Sequence, residues 1–164
     1  MRYTTIPSPI GTLTLVGDDT HLAWIGFPRG KGAVQVQPDW HRDDERFTRE
    51  AQQLAEYFAG RRQRFDLELA PRGTAFQLRV WNALQTIPWG ATWSYRHLAQ
   101  VIGNERAVRA VGLANGANPL PIVIPCHRVI GSDGSLTGFG GGLETKAWLL
   151  SHEGVRVEAP RLFA

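Results

Sequence analysis

The only cysteine of the chain, Cys126, lies in the stretch PIVIPCHRVIG and is followed directly by His127. A cysteine reacts as its thiolate, and a paired histidine or a nearby cation lowers the pKa of the thiol. Cys126 and His127 are therefore a candidate nucleophile and base, which need a carboxylate to orient the histidine. Glu153 in SHEG, at the end of a predicted helix, is the first candidate, and Asp133 in the turn-like SDGS is the weaker one.

A simpler interpretation of Cys126 stays open at this point. Free cysteine is among the most buried side chains, and the apolar residues around this one predict a buried strand. Neighbours in an extended strand point to opposite faces, so adjacency alone does not bring the thiol and the imidazole of His127 together. A cysteine protease is the obvious rival function for a cysteine–histidine pair.

The composition predicts a folded protein of one domain or two small ones. Of the 164 residues, 43% are hydrophobic and 20% are charged, which excludes disorder and a coiled coil. No apolar run approaches the roughly 18 residues of a membrane span, and the start MRYTTIPSPIG has no signal-peptide pattern. One cysteine forms no intrachain disulfide. We expect a cytoplasmic protein.

The basic residues are concentrated in the middle of the chain. Residues 70–132 carry six arginines against the single acid Glu105, whereas residues 1–69 and 133–164 each carry one acid more than their bases. A basic segment between nearly neutral flanks is typical of a surface that binds phosphates, although a chance asymmetry on a solvated face stays open.

The N-terminal part predicts a small antiparallel sheet and one helix. Three short β-prone runs (YTTI, GTLTLVG and HLAWIGF) are separated by proline, glycine and aspartate, and residues 43–60 have apolar side chains at helical spacing. RRQRFDLELAPRG predicts a further strand, and the composition changes near Ala70. We therefore expect an α/β domain at residues 1–70 and a second domain at residues 71–164.

The second domain is predicted to be mostly helical and winged-helix-like. Thr74 and Ser94 are candidate N-caps of two helices, and Asn104 is the candidate cap of a third, NERAVRAVGLANG. The second and third helices with their tight turn form a helix-turn-helix pattern. A last helix, LETKAWLLSHEG, follows a glycine-rich tract, GSDGSLTGFGGG, whose backbone allows sharp turns and close approach.

Five motifs together resemble the O6-alkylguanine-DNA alkyltransferases: IPWGATWSY, RAVGLANGANP, PCHRVIG, the GGG tract and KAWLLSHEG. The similarity runs from about Gly73 to Gly154, and the N-terminal half adds only its strands-then-helix layout and YFAG. The resemblance implies an α+β fold and a suicide enzyme of DNA repair. Such an enzyme transfers an alkyl group from O6 of guanine in duplex DNA irreversibly to its own cysteine. It implies no cofactor, and a chain with one cysteine lacks the ligands for the structural zinc of some relatives.

The resemblance also implies a role for each matching position in the reaction. Cys126 accepts the alkyl group, His127 acts as base through a water molecule, and Glu153 orients the histidine. Asn118 organises the turn beside the cysteine. Tyr95 assists rotation of the nucleotide and donates a proton to the departing guanine.

For binding to DNA, the resemblance places the second helix of the helix-turn-helix in the minor groove. Because that groove is only about 6 Å wide, small residues such as Ala110 and Gly112 are needed on the helix. Arg109 enters the base stack and fills the vacated space. Arg106 and Ser132 are further DNA contacts.

The flipped base is expected to lie against Val129, Phe139 and Gly140. Many relatives have tyrosine at the position of Phe139 and some have a small hydroxyl residue at that of Gly140, so stacking and backbone contacts replace side-chain hydrogen bonds. The expected partner is duplex DNA carrying O6-alkylguanine, bound by a monomer, with cooperative binding left open. The alternative function is a protein that binds lesions and recruits other factors without transferring anything.

Overall fold

The N-terminal part of the chain forms a small sheet, as expected. The computed structural model describes residues 1–157. Strands β1 (Arg2–Ile6), β2 (Leu13–Gly17) and β3 (Leu22–Gly26) form an antiparallel meander. The two-residue strand β4 (His41–Arg42) adds to β1 in parallel and gives the order β3-β2-β1-β4. The sheet is therefore mixed, with its antiparallel part as predicted.

A helix covers one face of this sheet. A 3₁₀ turn (Glu45–Phe47) leads into α1 (Thr48–Phe58), whose apolar stripe contributes the buried Leu54 and Tyr57 to the core. The amphipathic helix predicted for residues 43–60 is thus confirmed, with its regular part shorter at both ends.

The strand expected after α1 does not form. Only an isolated bridge joins Leu69 to Leu22 of β3. The side chain of Gln53 takes the place of a neighbouring strand, because its amide accepts from Asp66 N at 2.9 Å and donates to Asp66 O at 3.0 Å. The side chain of Gln53 at Asp66 and the backbone of Leu22 at Glu68 and Ala70 thus bind the segment without a continuous ladder.

The C-terminal part is mostly helical. Its elements are α2 (Ala75–Leu84), β5 (Trp93–Ser94), α3 (Tyr95–Val101), α4 (Val108–Gly116), β6 (Val129–Ile130) and α5 (Leu143–His152), with β5 and β6 paired in parallel. Thr74 caps α2 in a capping box with Gln77, and Ser94 caps α3, both as predicted. Asn104 does not cap α4, which begins after Ala107. The carbonyl of Asn104 instead accepts from Ala107 N at 3.1 Å, so the turn between the helices is longer than expected.

The segment around Cys126 is not the strand that its apolar residues predicted. Cys126–Arg128 forms a 3₁₀ turn, and only the next two residues form β6. Pro125 has no N–H for a ladder, and Cys126 N donates to Ile124 O at 2.8 Å across it. Because Pro125 interrupts strand pairing, the chain turns here, and Cys126 is the first residue of the 3₁₀ turn rather than part of a strand.

One continuous apolar core joins the two parts of the chain. It contains Leu15 and Tyr57 from the N-terminal part together with Trp81, Val111 and Leu149 from the C-terminal part. Within the described residues 1–157, no helix is both long and apolar enough to cross a membrane.

Candidate active site and DNA-binding surface

Asparagine side chains fix the turn that carries Cys126. Asn118 Nδ2 donates to Ile124 O at 2.8 Å, and its Oδ1 accepts from Leu120 N at 2.9 Å. Asn115 Nδ2 reaches Cys126 O at 3.4 Å. The amide of Asn118 therefore binds two backbone groups of the segment that leads into the turn, which is consistent with the organising role that the resemblance implies.

The backbone before the cysteine is strained. Ile122 has φ +76°, and it is the one non-glycine residue with positive φ in the part of the chain that the structure describes. A β-branched side chain is an outlier in this region, which costs on the order of 1–3 kcal/mol. Burial of the Ile122 side chain in the core holds the turn in this conformation.

His127 and Glu153 form a buried pair, although they are distant in sequence. His127 Nε2 lies 2.8 Å from Glu153 Oε2, and both side chains are fully inaccessible. Arg128 Nε donates to Glu153 Oε1 at 2.7 Å and Arg128 Nη2 donates to Oε2 at 3.0 Å. These hydrogen bonds to His127 and Arg128 outweigh the opposing effect of burial and lower the pKa of Glu153 to about 2. Glu153 is therefore a carboxylate.

A carboxylate accepts hydrogen bonds only, so His127 donates through Nε2 and keeps its lone pair on Nδ1. Burial lowers the pKa of His127, and hydrogen bonding to Glu153 opposes this effect. His127 Nδ1 is buried and has no hydrogen-bond partner among the described residues. A neutral imidazole with a free basic nitrogen is what a general base requires.

Cys126 is a thiol at rest. Its burial raises the pKa of the thiol, while the Asn118 side chain and the Lys146 cation act in the opposite direction. Desolvation is the largest effect on the thiol. A thiolate supplied by His127 and Glu153 stays a prediction. The thiol proton has to leave during the reaction.

Lys146 on α5 is a site residue that sequence analysis missed. Its ammonium is buried and donates to Val129 O at 2.6 Å and to Thr137 O at 2.9 Å, which ties the glycine-rich loop to β6. Burial lowers the pKa of Lys146 to about 8. The signal was its place on the buried face of a helix, one turn before Leu149 and Leu150.

Tyr95 lies at the start of α3, half-buried beside the same loop. Its hydroxyl accepts from Thr137 Oγ1 at 3.0 Å. Burial raises the pKa of Tyr95, so the phenol keeps its proton and is available as a donor.

A cavity of about 240 Å³ opens beside Cys126. Residues of the C-terminal part that line this cavity include Asn118, Phe139 and Gly140. The opposite wall comes from the N-terminal part and consists of Trp24, Ile25, Phe27, Lys31, Gly32, Ala33 and Val34. Val129 is buried and does not line this cavity. Two of the three residues expected to contact the base thus lie on its wall.

The N-terminal wall of this cavity is joined to the glycine-rich loop. Gly32 N donates to Gly140 O at 2.9 Å, and the rings of Phe27 and Phe139 lie 5.4 Å apart. The sequence contained no local signal for this wall, because it depends on a contact between segments more than one hundred residues apart.

The predicted DNA-binding residues lie on an exposed surface formed by α4 and the turn before it. Arg109 and Ala110 are exposed on α4, and Arg106 is exposed in the turn. A Cβ at Gly112 would lie 3.8 Å from the Tyr95 ring, which is an ordinary van der Waals contact, so the packing of α4 on that ring does not require glycine. Leu113, which sequence analysis did not single out, is 79% exposed on the same helix.

Ser132, also predicted to contact DNA, is exposed in the loop that follows β6. Among residues 1–157, no group of three or more histidine, cysteine, aspartate or glutamate side chains is arranged to hold a metal ion.

The fold and the site define a mixed α+β protein with a buried cysteine at the edge of a pocket. The N-terminal residues 1–71 match the family description "6-O-methylguanine DNA methyltransferase, ribonuclease-like domain". Residues 75–155 match "6-O-methylguanine DNA methyltransferase, DNA binding domain".

Individual relatives agree with this match. The methylated-DNA–protein-cysteine methyltransferase of Methanosarcina acetivorans is 49% identical over 154 residues, which cover 94% of this chain and 99% of that protein. The Mycobacterium tuberculosis (strain H37Rv) protein of the same name is 48% identical over 97% of this chain and 96% of its own length. The crystal structure of M. tuberculosis OGT in complex with DNA matches with a TM-score of 0.89 and 49% identity, covering 94% of this chain and 93% of that one. The chain belongs to the 6-O-methylguanine DNA methyltransferase family.

Proposed function

We propose that this protein repairs duplex DNA by transferring the alkyl group of O6-alkylguanine to its own Cys126, once per molecule. The observation that carries the proposal is a lone buried thiol at the edge of a cavity, next to a neutral histidine held by a carboxylate. Family membership and the names of the relatives, which are methylated-DNA–protein-cysteine methyltransferases, support it.

In the proposed reaction the thiol proton passes through a water molecule to His127 Nδ1, and Glu153 stabilises the imidazolium that forms. The sulfur attacks the alkyl carbon, a C–S bond forms, and the bond from that carbon to O6 breaks with its electron pair on the guanine. The Tyr95 hydroxyl donates a proton to the guanine ring, which returns to the duplex as normal guanine, and the proton held by the imidazolium of His127 restores the Tyr95 phenol through solvent. Since a thioether has no acidic proton and is a poor leaving group, each molecule reacts once.

Rotation of the nucleotide out of the duplex precedes this reaction. A thiol held in a cavity does not reach O6 of a stacked, paired guanine, so the base has to leave the stack. Exposed Arg109 on α4 is the proposed residue that fills the gap, with Ala110 and Gly112 allowing α4 to approach the minor groove. Phe139 and Gly140 then contact the flipped base in the cavity.

Transfer is tested by mass. The protein is incubated with duplex DNA that contains O6-methylguanine, and the peptide with Cys126 is weighed. We expect one methyl group per molecule in the wild type and none in Cys126→Ser. Tight binding to the lesion with an unchanged peptide mass would instead assign the protein to lesion binding without transfer.

The role of Arg109 is tested by comparing two substrates. Arg109→Ala should slow repair in duplex DNA by far more than it slows transfer from the free base O6-benzylguanine, which needs no flipping. Arg106→Ala is the matched control. It removes a phosphate contact, weakens binding to all sequences and lowers the salt slope by about one unit. Equal losses of Arg109→Ala on both substrates would show that Arg109 fills no gap in the duplex.

We further propose the organisation in which this reaction takes place. Residues 1–70 form a supporting domain and residues 71–164 form the DNA-binding and transfer domain. The protein acts as a monomer in the cytoplasm, where reducing conditions keep a single thiol available.

A further inference from the structure

We propose that Tyr57 is a positioning residue for alkyl transfer, whose hydroxyl holds the carboxylate of Glu153 in the orientation that pairs with His127. The inference rests on the proposed function and extends it to the N-terminal part of the chain. Tyr57 Oη donates to Glu153 Oε2 at 2.6 Å, and this is the same oxygen that His127 Nε2 contacts at 2.8 Å. Tyr57 and Glu153 are 96 positions apart and both are buried.

The hydroxyl of Tyr57 acts as a donor throughout the pH range of the reaction. Burial and the charge of Glu153 raise the pKa of Tyr57 well above its ordinary value, so the phenol does not ionise. Glu153 Oε2 therefore accepts from Tyr57, from His127 and from Arg128 Nη2. An imidazole without a proton on Nε2 would place its lone pair against this oxygen, so the carboxylate keeps the proton on Nε2. Because the Tyr57 hydroxyl binds part of the negative charge of Glu153, it weakens the attraction of the carboxylate for a second proton at His127 Nδ1.

A second contact holds Tyr57 from the neighbouring residue. His152 Nε2 donates to the carbonyl of Tyr57 at 2.7 Å, and its ring lies 5.2 Å from that of Tyr57. Two consecutive residues, His152 and Glu153, thus bind the backbone and the side chain of one tyrosine. This double contact fixes the C-terminal end of α5 against the C-terminal end of α1.

Aromatic packing prevents the tyrosine from turning away. The ring centroids of Phe65 and Trp89 lie 5.6 Å and 5.5 Å from that of Tyr57. Packing alone requires only a ring at this position. The 2.6 Å hydrogen bond to Glu153 requires the hydroxyl. The two requirements are separable by experiment.

Tyr57→Phe removes the hydroxyl and keeps the ring. With one donor fewer, the negative charge of Glu153 attracts a proton on His127 more strongly, so the imidazolium forms at higher pH. In single-turnover assays on O6-methylguanine duplex, we expect the transfer rate at saturating DNA to fall about tenfold, as for other residues that orient a reacting group. The acid limb of the pH–rate profile should move to higher pH, while the Kd for DNA stays unchanged.

Phe65→Leu is the matched control, because Phe65 packs on the Tyr57 ring and makes no hydrogen bond to Glu153. It should lower the Tm and leave the transfer rate per folded molecule and the pH profile as in the wild type. Equal slowing by Tyr57→Phe and Phe65→Leu would assign Tyr57 to packing alone and overturn the inference.

A readout without activity separates this inference from the proposed function. Titration of His127 by ¹⁵N NMR should move to higher pH in Tyr57→Phe. It should move to lower pH when difluorotyrosine, a stronger donor, replaces Tyr57. Failure of the wild type to transfer a methyl group refutes the proposed function, and the titration still decides on Tyr57. An unchanged His127 titration in both variants refutes the inference.

Discussion

Acidification should reveal Glu153 as a buried carboxylate on which the fold depends. Hydrogen bonds from His127 and Arg128 lower its pKa from 4.5 to about 2. An unfolded chain binds the proton first as the pH falls, so the stabilisation is complete above the unfolded pKa and is lost toward the folded one. A pKa difference of one unit corresponds to about 1.36 kcal/mol. The contribution of Glu153 to the free energy of unfolding therefore falls by about 2 kcal/mol at pH 3 and by about 3 kcal/mol at pH 2.

Glu153→Gln isolates this contribution from that of the other carboxylates. At pH 7 the variant leaves Arg128 without its counter-ion, which costs about 3–5 kcal/mol for a buried pair. The gap in the free energy of unfolding between wild type and variant should then shrink by about 2 kcal/mol between pH 7 and pH 3. Urea unfolding at several pH values measures it.

The matched control for this experiment is Glu144→Gln, which removes a solvent-exposed carboxylate from the first turn of α5. Its unfolding curve should keep the pH dependence of the wild type. A gap between wild type and Glu153→Gln that stays constant from pH 7 to pH 3 would refute the argument, because Glu153 would then not be held as a carboxylate.

Two further predictions concern the wall and the loop of the cavity. In Gly32→Ala the added methyl group would lie 2.7 Å from Phe27 Cδ2 and 2.9 Å from the carbonyl carbon of Gly140. We expect the free energy of unfolding to fall by about 1–3 kcal/mol and the reaction rate with O6-benzylguanine to change. Gly138→Ala, with nothing within 4 Å of its methyl group, should keep the stability of the wild type. Burial lowers the pKa of Lys146 to about 8, so the unfolded state binds more protons above that pH and stability rises there. Cys126, whose pKa is raised by burial, acts in the opposite sense, so the quantity to measure is the difference in free energy of unfolding between wild type and Lys146→Met. By urea unfolding, this difference should move in favour of the wild type by about 1.5 kcal/mol between pH 8 and pH 9.5, and parallel curves would contradict the assigned burial.

Local signals in the sequence predicted the helices well. Thr74 and Ser94 are caps whose side chains bond to the backbone three residues on, so a few neighbouring residues determine them. The cap at Asn104 was wrong, because its carbonyl rather than its side chain closes the turn before α4. The correct caps and the wrong one differ in whether the side chain or the backbone carbonyl of the residue makes the hydrogen bond. The sequence does not specify which group does so.

Contacts between distant segments account for what the sequence did not predict. The apolar run before Cys126 suggested a strand, but the side chain of Asn118 takes Ile124 O and excludes a ladder. The contact of Tyr57 with Glu153 and that of Gly32 with Gly140 join residues that the fold brings together from distant parts of the chain. No periodicity within one segment carries that information.

Under the proposed function, the thiol reacts once and needs protection until its substrate arrives, and the electrostatics around Cys126 meet that need. Burial keeps the sulfur protonated, and a protonated thiol reacts slowly with stray electrophiles. The groups that favour the thiolate, Asn118 and Lys146, are already in place, as is the free nitrogen of His127. Since these groups need no rearrangement, only the arrival of an alkyl carbon within reach of the sulfur is missing. In the proposed function the flipped base supplies it, and the residues that admit that base therefore decide when the thiol reacts.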